Sequence, residues 1–292
     1  MTETIPAFIA IDWGSTNRRA YLVDQAGRVL RAEREGKGLL SVPDDGFAAE
    51  VAAIRSRLGD LPAVLAGMVG SARGWANVPY VRTPAGIDDL AAHVYWVEAG
   101  RTAIVPGLAD PAGDVMRGEE VQFLGAVAAG LAPPDGLLCQ PGTHCKWARM
   151  ADGKIASFST AMTGELFGLL RDHSLLADFL SGDVHDGEAF RAGAAAGLHG
   201  SLSTLLFRIR AAALLGSRSV EDSAAYASGV LIGHDVGGAQ LEPGANVHVI
   251  ADAHLGALYA AALAVAGANT TRLDSHDAFV AGIHRIWKAS AA

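Results

Sequence analysis

The feature that most limits the fold is an order of segments that the chain runs through twice. Residues 7–13, 18–24 and 28–33 read as three short strands, apolar or alternating and bounded by turn residues. Gln25-Ala26-Gly27 joins the second to the third as a hairpin. Residues 137–140, 145–150 and 154–159 repeat that opening, with Asp152-Gly153 as the hairpin signal. Helices and strands then alternate. In the first half these are a helix at 47–58 (Phe47, Val51, Ile54 and Leu58 at helical spacing), a strand at 63–66, a weak helix at 87–97, a strand at 102–105 and a helix at 119–130. In the second half, long helical patterns run from 164 to about 238, then a strand at 247–251 and a helix at 253–266. The two strand–turn–strand openings lie about 130 residues apart, with no residue-level repeat. The Pro- and Gly-containing stretch 131–136 is the natural linker. The expected architecture is α/β, with two mixed domains, 1–130 and 131–292, flanking an interdomain cleft into which both turns point.

The first opening carries a chemical signal. In FIAIDWGSTNRRAYLVD an apolar run halts on Asp12, turns through Gly14, Ser15 and Thr16, and resumes as a strand. A hairpin does not need the acid. Successive backbone N–H groups in such a turn form an anion-binding concavity, and the hydroxyls of Ser15 and Thr16 add donors. Asp12 would repel a phosphate unless a cation stands between them. Magnesium suits that place, because it is usually held by one or two carboxylates together with phosphates. A plain hairpin with a solvated aspartate explains the same residues without a ligand. The chain has neither G-x-x-x-x-G-K-[ST] nor G-x-G-x-x-G after a strand, so a nucleotide would be held by other means.

Composition removes other classes. A net charge of −8 argues against a nucleic-acid surface. Two cysteines make no disulfide framework, and MTETIPAF is not a signal peptide, so a cytoplasmic protein is expected. The longest apolar run, 255–268, is too short to span a bilayer, so no membrane partner is expected. His144 and Cys145 are adjacent and face opposite sides of a strand, which rules out a shared zinc. The segment around His185 has metal-ligand letters without EF-hand spacing. Oligomeric state is not legible; a homodimer is the default expectation.

IAIDWGSTNRRAYL resembles the first phosphate loop of the actin/hexokinase/Hsp70 superfamily. Together with AGMVGSARGW, PYVRTPAG, VMRGEEVQFLGA, PGTHCKW and TGEL, the chain from 7 to 282 resembles the 2-dehydro-3-deoxygalactonokinase family. The resemblance implies two ribonuclease H-like domains and an ATP- and magnesium-dependent kinase. The expected reaction moves the γ-phosphoryl group of ATP to the 6-hydroxyl of 2-dehydro-3-deoxy-D-galactonate, in galactonate catabolism.

On that resemblance Asp12 is the magnesium-linked carboxylate, and Gly14, Ser15 and Thr16 line the phosphates. Gly142 and Thr143 form the second phosphate turn, where the superfamily's usual aspartate is replaced by Gln140. Lys146 either adds charge to the phosphates or is a solvated strand residue. Glu119 and Glu120 open a helix; they either favour its macrodipole or supply the base for the sugar hydroxyl, Glu119 ahead of Glu120. The substrate's carboxylate asks for an arginine, with Arg18, Arg73 and Arg117 as candidates beside Gly-rich segments. Gly70 and Ser71 of the Gly-rich loop are expected at the sugar, and Trp75, Tyr80 and Trp147 either stack on it or belong to the core. Glu165 either binds sugar or caps a helix. At the adenosine loop the family leads one to expect glycine, but this chain has Ala251 and Asp252, which either crowd the nucleotide or bond its ribose. The competing readings are a polyphosphate or guanosine-pentaphosphate phosphohydrolase on the same fold, and a non-catalytic sugar-acid sensor.

Overall fold

The computed structural model describes residues 5–290. Strands β1 (Pro6–Trp13), β2 (Arg18–Asp24) and β3 (Val29–Glu35) form an antiparallel meander in which Asp12 lies opposite Arg19. Helix α1 (Phe47–Leu58) leads to β4 (Ala63–Gly67), which pairs parallel to β1 on its other side. That central position explains the unbroken apolar run of β1: Phe8, Ile9, Ala10, Ile11 and Trp13 are all fully buried. The α1 residues at helical spacing, Phe47, Val51, Ile54 and Leu58, pack against Ile9, Ile11, Trp13 and Leu65.

The chain continues through β5 (Val81–Arg82), α2 (Ile87–Ala92), β6 (Tyr95–Glu98), β7 (Thr102–Ile104), β8 (Leu108–Asp110), β9 (Asp114–Met116) and α3 (Glu119–Ala128). One sheet has the order β3-β2-β1-β4-β7-β6, and β5, β8 and β9 form a small second sheet. The expected helix over 87–97 stops at Ala92, because Tyr95–Glu98 pairs antiparallel to β7 as an edge strand. Aromatic and β-branched residues there favour the extended backbone once a partner strand is present.

The remaining elements are β10 (Gly136–Gln140), β11 (Cys145–Ala151), β12 (Lys154–Ala161), α4 (Thr163–His173), α5 (Glu188–His199), α6 (Leu202–Leu214), α7 (Val220–Gly238), β13 (Asn246–Ile250), α8 (Ala253–Val265), β14 (Asn269–Leu273) and α9 (Ser275–Ser290). Their sheet has the order β12-β11-β10-β13-β14, with β10, β13 and β14 parallel. Both sheets thus place three consecutive strands beside a later parallel strand, the repeated order visible in the sequence. Edge strand β14, Asn-Thr-Thr-Arg-Leu, is too polar to announce itself. Gly193 and Gly197 of α5 face Gly229 and Gly233 of α7, and a methyl on any of the four would collide with the partner helix's backbone. No helix among the described residues is long and apolar enough to cross a membrane.

The chain divides into two compact units: the described residues through 135 with 148–158 and α9, and residues 136–147 with 159–274. The expected boundary at 130/131 had assigned 131–135, 148–158 and the C-terminal segment to the second half. Glycine contacts return α9 to the first unit: methyls at Gly125 of α3 or Gly282 of α9 would strike the backbone of Ala278 or Val121. Phe8 stacks on Trp287 at 4.6 Å, and Tyr21 packs on Phe279. Gly282→Val is therefore expected to destabilise the protein by about 2–3 kcal/mol, as overpacking a tight interior does. Urea unfolding with unchanged stability would contradict that packing.

Candidate active site

Asp12 sits at the last buried turn of β1, and the segment that follows is fixed from outside. The Gly14 N–H donates to the Asn17 carbonyl at 2.9 Å and closes the turn. Gly38, Leu39 and Leu40 donate their N–H groups to the carbonyls of Thr16, Gly14 and Ser15 at 3.0, 2.9 and 3.1 Å. Gly38 comes so close that a methyl there would collide with the Ser15 carbonyl. With three successive carbonyls tied down, the N–H groups of Ser15 and Thr16 have no protein acceptor among the described residues, and both residues are exposed. Such a row of free donors is an anion cradle.

Three segments meet beside it on glycines. Gly67, at the end of β4 with φ +97°, would place a methyl 2.7 Å from the Trp13 carbonyl oxygen. Gly118, at the start of α3 with φ +109°, would place one 3.1 Å from the Gly67 Cα. The α3 N-terminus is thereby brought against the end of β1. The Asp12 side chain is 20% exposed and lies 3.7 Å from Arg19 Nη1. Burial pushes the Asp12 carboxyl up to about 6; Arg19 pulls against the rise and the Glu119 charge adds to it.

The two glutamates separate. Glu120 is fully buried, and both its oxygens accept from the Gly118 N–H at 2.9 and 2.7 Å. Burial pushes it up to about 8, with the Glu119 charge adding. Glu119 is half-buried, accepts from the Arg117 N–H at 3.0 Å, and is the acid that Asp12 feels. Both help cap α3, but only Glu119 faces the Asp12 carboxylate electrostatically.

The three candidate arginines also separate. Arg18, 1% exposed, is ion-paired with Glu35 and with Glu50 at 2.8 Å, and its guanidinium lies over Trp13 at 4.6 Å. Its charge is balanced within the fold by two carboxylates, although its Nε and Nη1 find no acceptor among the described residues, and that pairing argues against its candidacy as a ligand residue. Arg73 is exposed at the rim of a depression of about 510 Å³ lined by Leu39, Leu40, Val42, Asp44 and Gly74. Arg117 is buried, donates to the Val78 carbonyl at 2.8 Å and stacks on Tyr80 at 4.2 Å. Gly70 adjoins it, since a methyl there would lie 2.8 Å from Arg117 Nη1, and Ser71 follows Gly70 in the chain. Gly70, Ser71, Tyr80 and Arg117 are thus brought together, whereas Trp75 packs on the core of the first unit.

In the second unit the Gly142–Thr143 turn is buttressed by the start of α4. The Glu165 N–H donates to the Thr143 carbonyl at 2.9 Å, and a methyl at Gly164 would collide with the Gly142 carbonyl. The Glu165 carboxylate pairs with His144 Nε2 at 2.6 Å. Lys146 is not a solvated strand residue; it is 5% exposed and donates to Thr160 Oγ1 at 2.7 Å. Trp147 is buried and donates to Asp235, so it is no stacking platform. Asp235 also accepts from Thr163 at 2.9 Å and Tyr259 at 2.6 Å, which ties β11, α4 and α8 to α7. Sequence reasoning missed this node; its signal was a lone acid in the apolar run of α7. Its partners Thr163 and Tyr259 line a small cavity, about 80 Å³, together with Gly142, Gly164, Phe167 and Leu258 among others.

Asp252 has a local reason to be there. It is the N-cap of α8, and its Oδ1 accepts from the Leu255 N–H at 2.9 Å. Asp252→Ala is expected to cost about 1 kcal/mol of stability and Asp252→Gly only a few tenths. Equal urea midpoints for the wild type and both variants would contradict the capping role.

A family model described as 2-keto-3-deoxy-galactonokinase matches residues 12–286. A 2-dehydro-3-deoxygalactonokinase of Escherichia coli strain K12 is 37% identical, over 97% of this chain and 98% of its own. A crystal structure from Sinorhizobium meliloti, assigned to the same enzyme name, is 34% identical and superposes with a TM-score of 0.90 over 97% of this chain and 98% of that one. The activator of 2-hydroxyisocaproyl-CoA dehydratase from Clostridium difficile, solved with bound ADPNP, shares the fold alone. It is 11% identical, with a TM-score of 0.53 over 98% of this chain and 96% of that one.

Proposed function

The chain belongs to the 2-keto-3-deoxy-galactonokinase family, and from that premise we propose that it transfers the γ-phosphoryl group of ATP to the 6-hydroxyl of 2-dehydro-3-deoxy-D-galactonate. The family match over nearly the whole chain carries this reading, and it leaves the phosphohydrolase and sensor readings without support. The enzyme works in the cytoplasm, where ATP is supplied and two free thiols stay reduced.

In the first unit the free N–H groups and hydroxyls of Ser15 and Thr16 hold phosphate oxygens, and Asp12 faces them. No group of three or more His, Cys, Asp or Glu among the described residues forms a closed metal cage. A partly exposed carboxylate beside an anion cradle instead fits magnesium carried in with the nucleotide. When bound, that ion neutralises charge on the transferring phosphoryl group. Glu119 accepts the proton of the 6-hydroxyl as its oxygen bonds to phosphorus and the bond to the β-phosphate oxygen breaks, releasing ADP.

The second unit serves the nucleotide. The backbone at Gly142 and Thr143 takes phosphate, and the small cavity beside it takes a face of the adenine base. Asp235 holds the walls of that cavity in place. The start of α8, at Ala251 and Asp252, lies next to the ribose. The phosphorus NMR spectrum of the product tests the reading. A phosphate on C6 couples to two protons and gives a triplet; a doublet would put the phosphate on a ring carbon and refute the proposed acceptor.

A further inference from the structure

We propose that Arg117, with Ser71, anchors the carboxylate of the sugar acid, and that Gly70 is glycine because of it. The inference rests on the kinase reading above. It starts from the buried arginines: among the described residues Arg18, Arg55 and Arg117 are exposed by 8% or less. Two of them carry their counter-charges inside the fold. Arg18 pairs with Glu35 and Glu50. Arg55 pairs with Glu98 at 3.0 Å and fills its remaining donors with the carbonyls of Leu61 and Arg101 and with Thr102 Oγ1.

Arg117 has no ion pair among the described residues; Glu120 feels its charge, but burial pushes that carboxyl up to about 8. Its Nη2 reaches the Val78 carbonyl, while Nε and Nη1 are buried with no acceptor among the described residues. Ser71 Oγ is buried without a partner as well. A buried, permanently charged guanidinium with no ion pair and two empty donors is costly. An anion from outside the chain relieves that cost.

The surroundings specify which anion. The guanidinium plane is set by the Tyr80 ring 4.2 Å away. Tyr80 takes that place because Gly107 has no side chain: a methyl there would lie 2.9 Å from the ring. Likewise a methyl at Gly70 would come within 2.8 Å of Nη1, so any side chain at that position displaces the fork. Unfilled Nη1 and the second hydrogen of Nη2 form the planar end of the guanidinium, which matches a carboxylate's two oxygens better than a tetrahedral phosphate or a hydroxyl. Arg73, by contrast, is exposed, and no ring or carbonyl among the described residues holds its guanidinium.

The test compares the sugar acid with its neutral C1 amide in wild type, Arg117→Lys, Ser71→Ala and Gly70→Ala. Arg117→Lys keeps the charge but loses the fork. It is expected to raise KM for the acid by about 10- to 100-fold, to leave KM for ATP within about twofold, and to abolish the preference for acid over amide. Gly70→Ala should copy it. Ser71→Ala, which breaks no existing bond, should raise KM for the acid severalfold with an unchanged melting temperature, and so decides the matter if Arg117→Lys folds poorly. Unchanged KM for the acid in both Arg117→Lys and Ser71→Ala overturns the proposal, as does a shift that falls on ATP. Calorimetry with the acid alone keeps the two readings apart. Arg117-dependent binding without turnover sinks the kinase reading and leaves the anchor standing.

Discussion

Asp12→Asn should lower kcat by at least about 10²- to 10³-fold, the scale on which a preorganised electrostatic contact to a transferring group is lost, without lowering stability at pH 7. The two halves of that result have one cause. Burial holds the Asp12 carboxyl at about 6, above its unfolded value, so the folded state binds its proton more tightly. The associated stability is fully present at acid pH and is lost as pH rises through about 6. At neutral pH the ionised carboxylate is therefore a burden on the fold, retained for a ligand. Asparagine removes the burden and the function together. Activity is read by coupled assay and stability by urea unfolding; activity within a few-fold of wild type would detach Asp12 from the reaction.

Glu119→Gln should cost about 10²- to 10⁴-fold in kcat, the usual contribution of a positioned base, whereas Glu120→Gln should leave kcat within a few-fold. Glu120 has its own signature. Held at about 8 by burial, it favours folding below its unfolded value near 4.5, and that contribution drains away as pH rises to 8. Glu120→Gln should flatten the decline of stability across that window and raise stability at pH 8. Equal loss of kcat in both variants would refute the division of roles.

Much of this could be read from the sequence because its signals are local. The β1–β3 meander, α1 and β4 follow from alternation, helical spacing and turn residues, and the Asp12 loop stands out as an acid ending an apolar strand. The rest depends on what each residue finds in three dimensions. Arg18, Arg73 and Arg117 look alike in sequence, each near glycine; only packing shows that one is buried in ion pairs, one exposed and one buried without an ion pair. Glu119 and Glu120 are neighbours on a helix, about 100° apart around its axis, so one faces inward and the other does not. Lys146 reads equally as a phosphate-facing charge or a surface strand residue, and only its burial removes the second reading. Asp252 reads as a departure from a glycine loop, yet it caps the helix that the loop starts. The return of α9 to the first unit rests on Gly125 and Gly282, which are far apart in the chain and carry no periodic signal of their partnership.

The most direct measurement is ADP release from ATP in the presence of magnesium, with and without 2-dehydro-3-deoxy-D-galactonate. A magnesium-dependent burst of ADP that requires the sugar acid is the expected result, with no release when either is omitted. Release that proceeds equally without the sugar acid, or none under any of these conditions, would contradict the assignment.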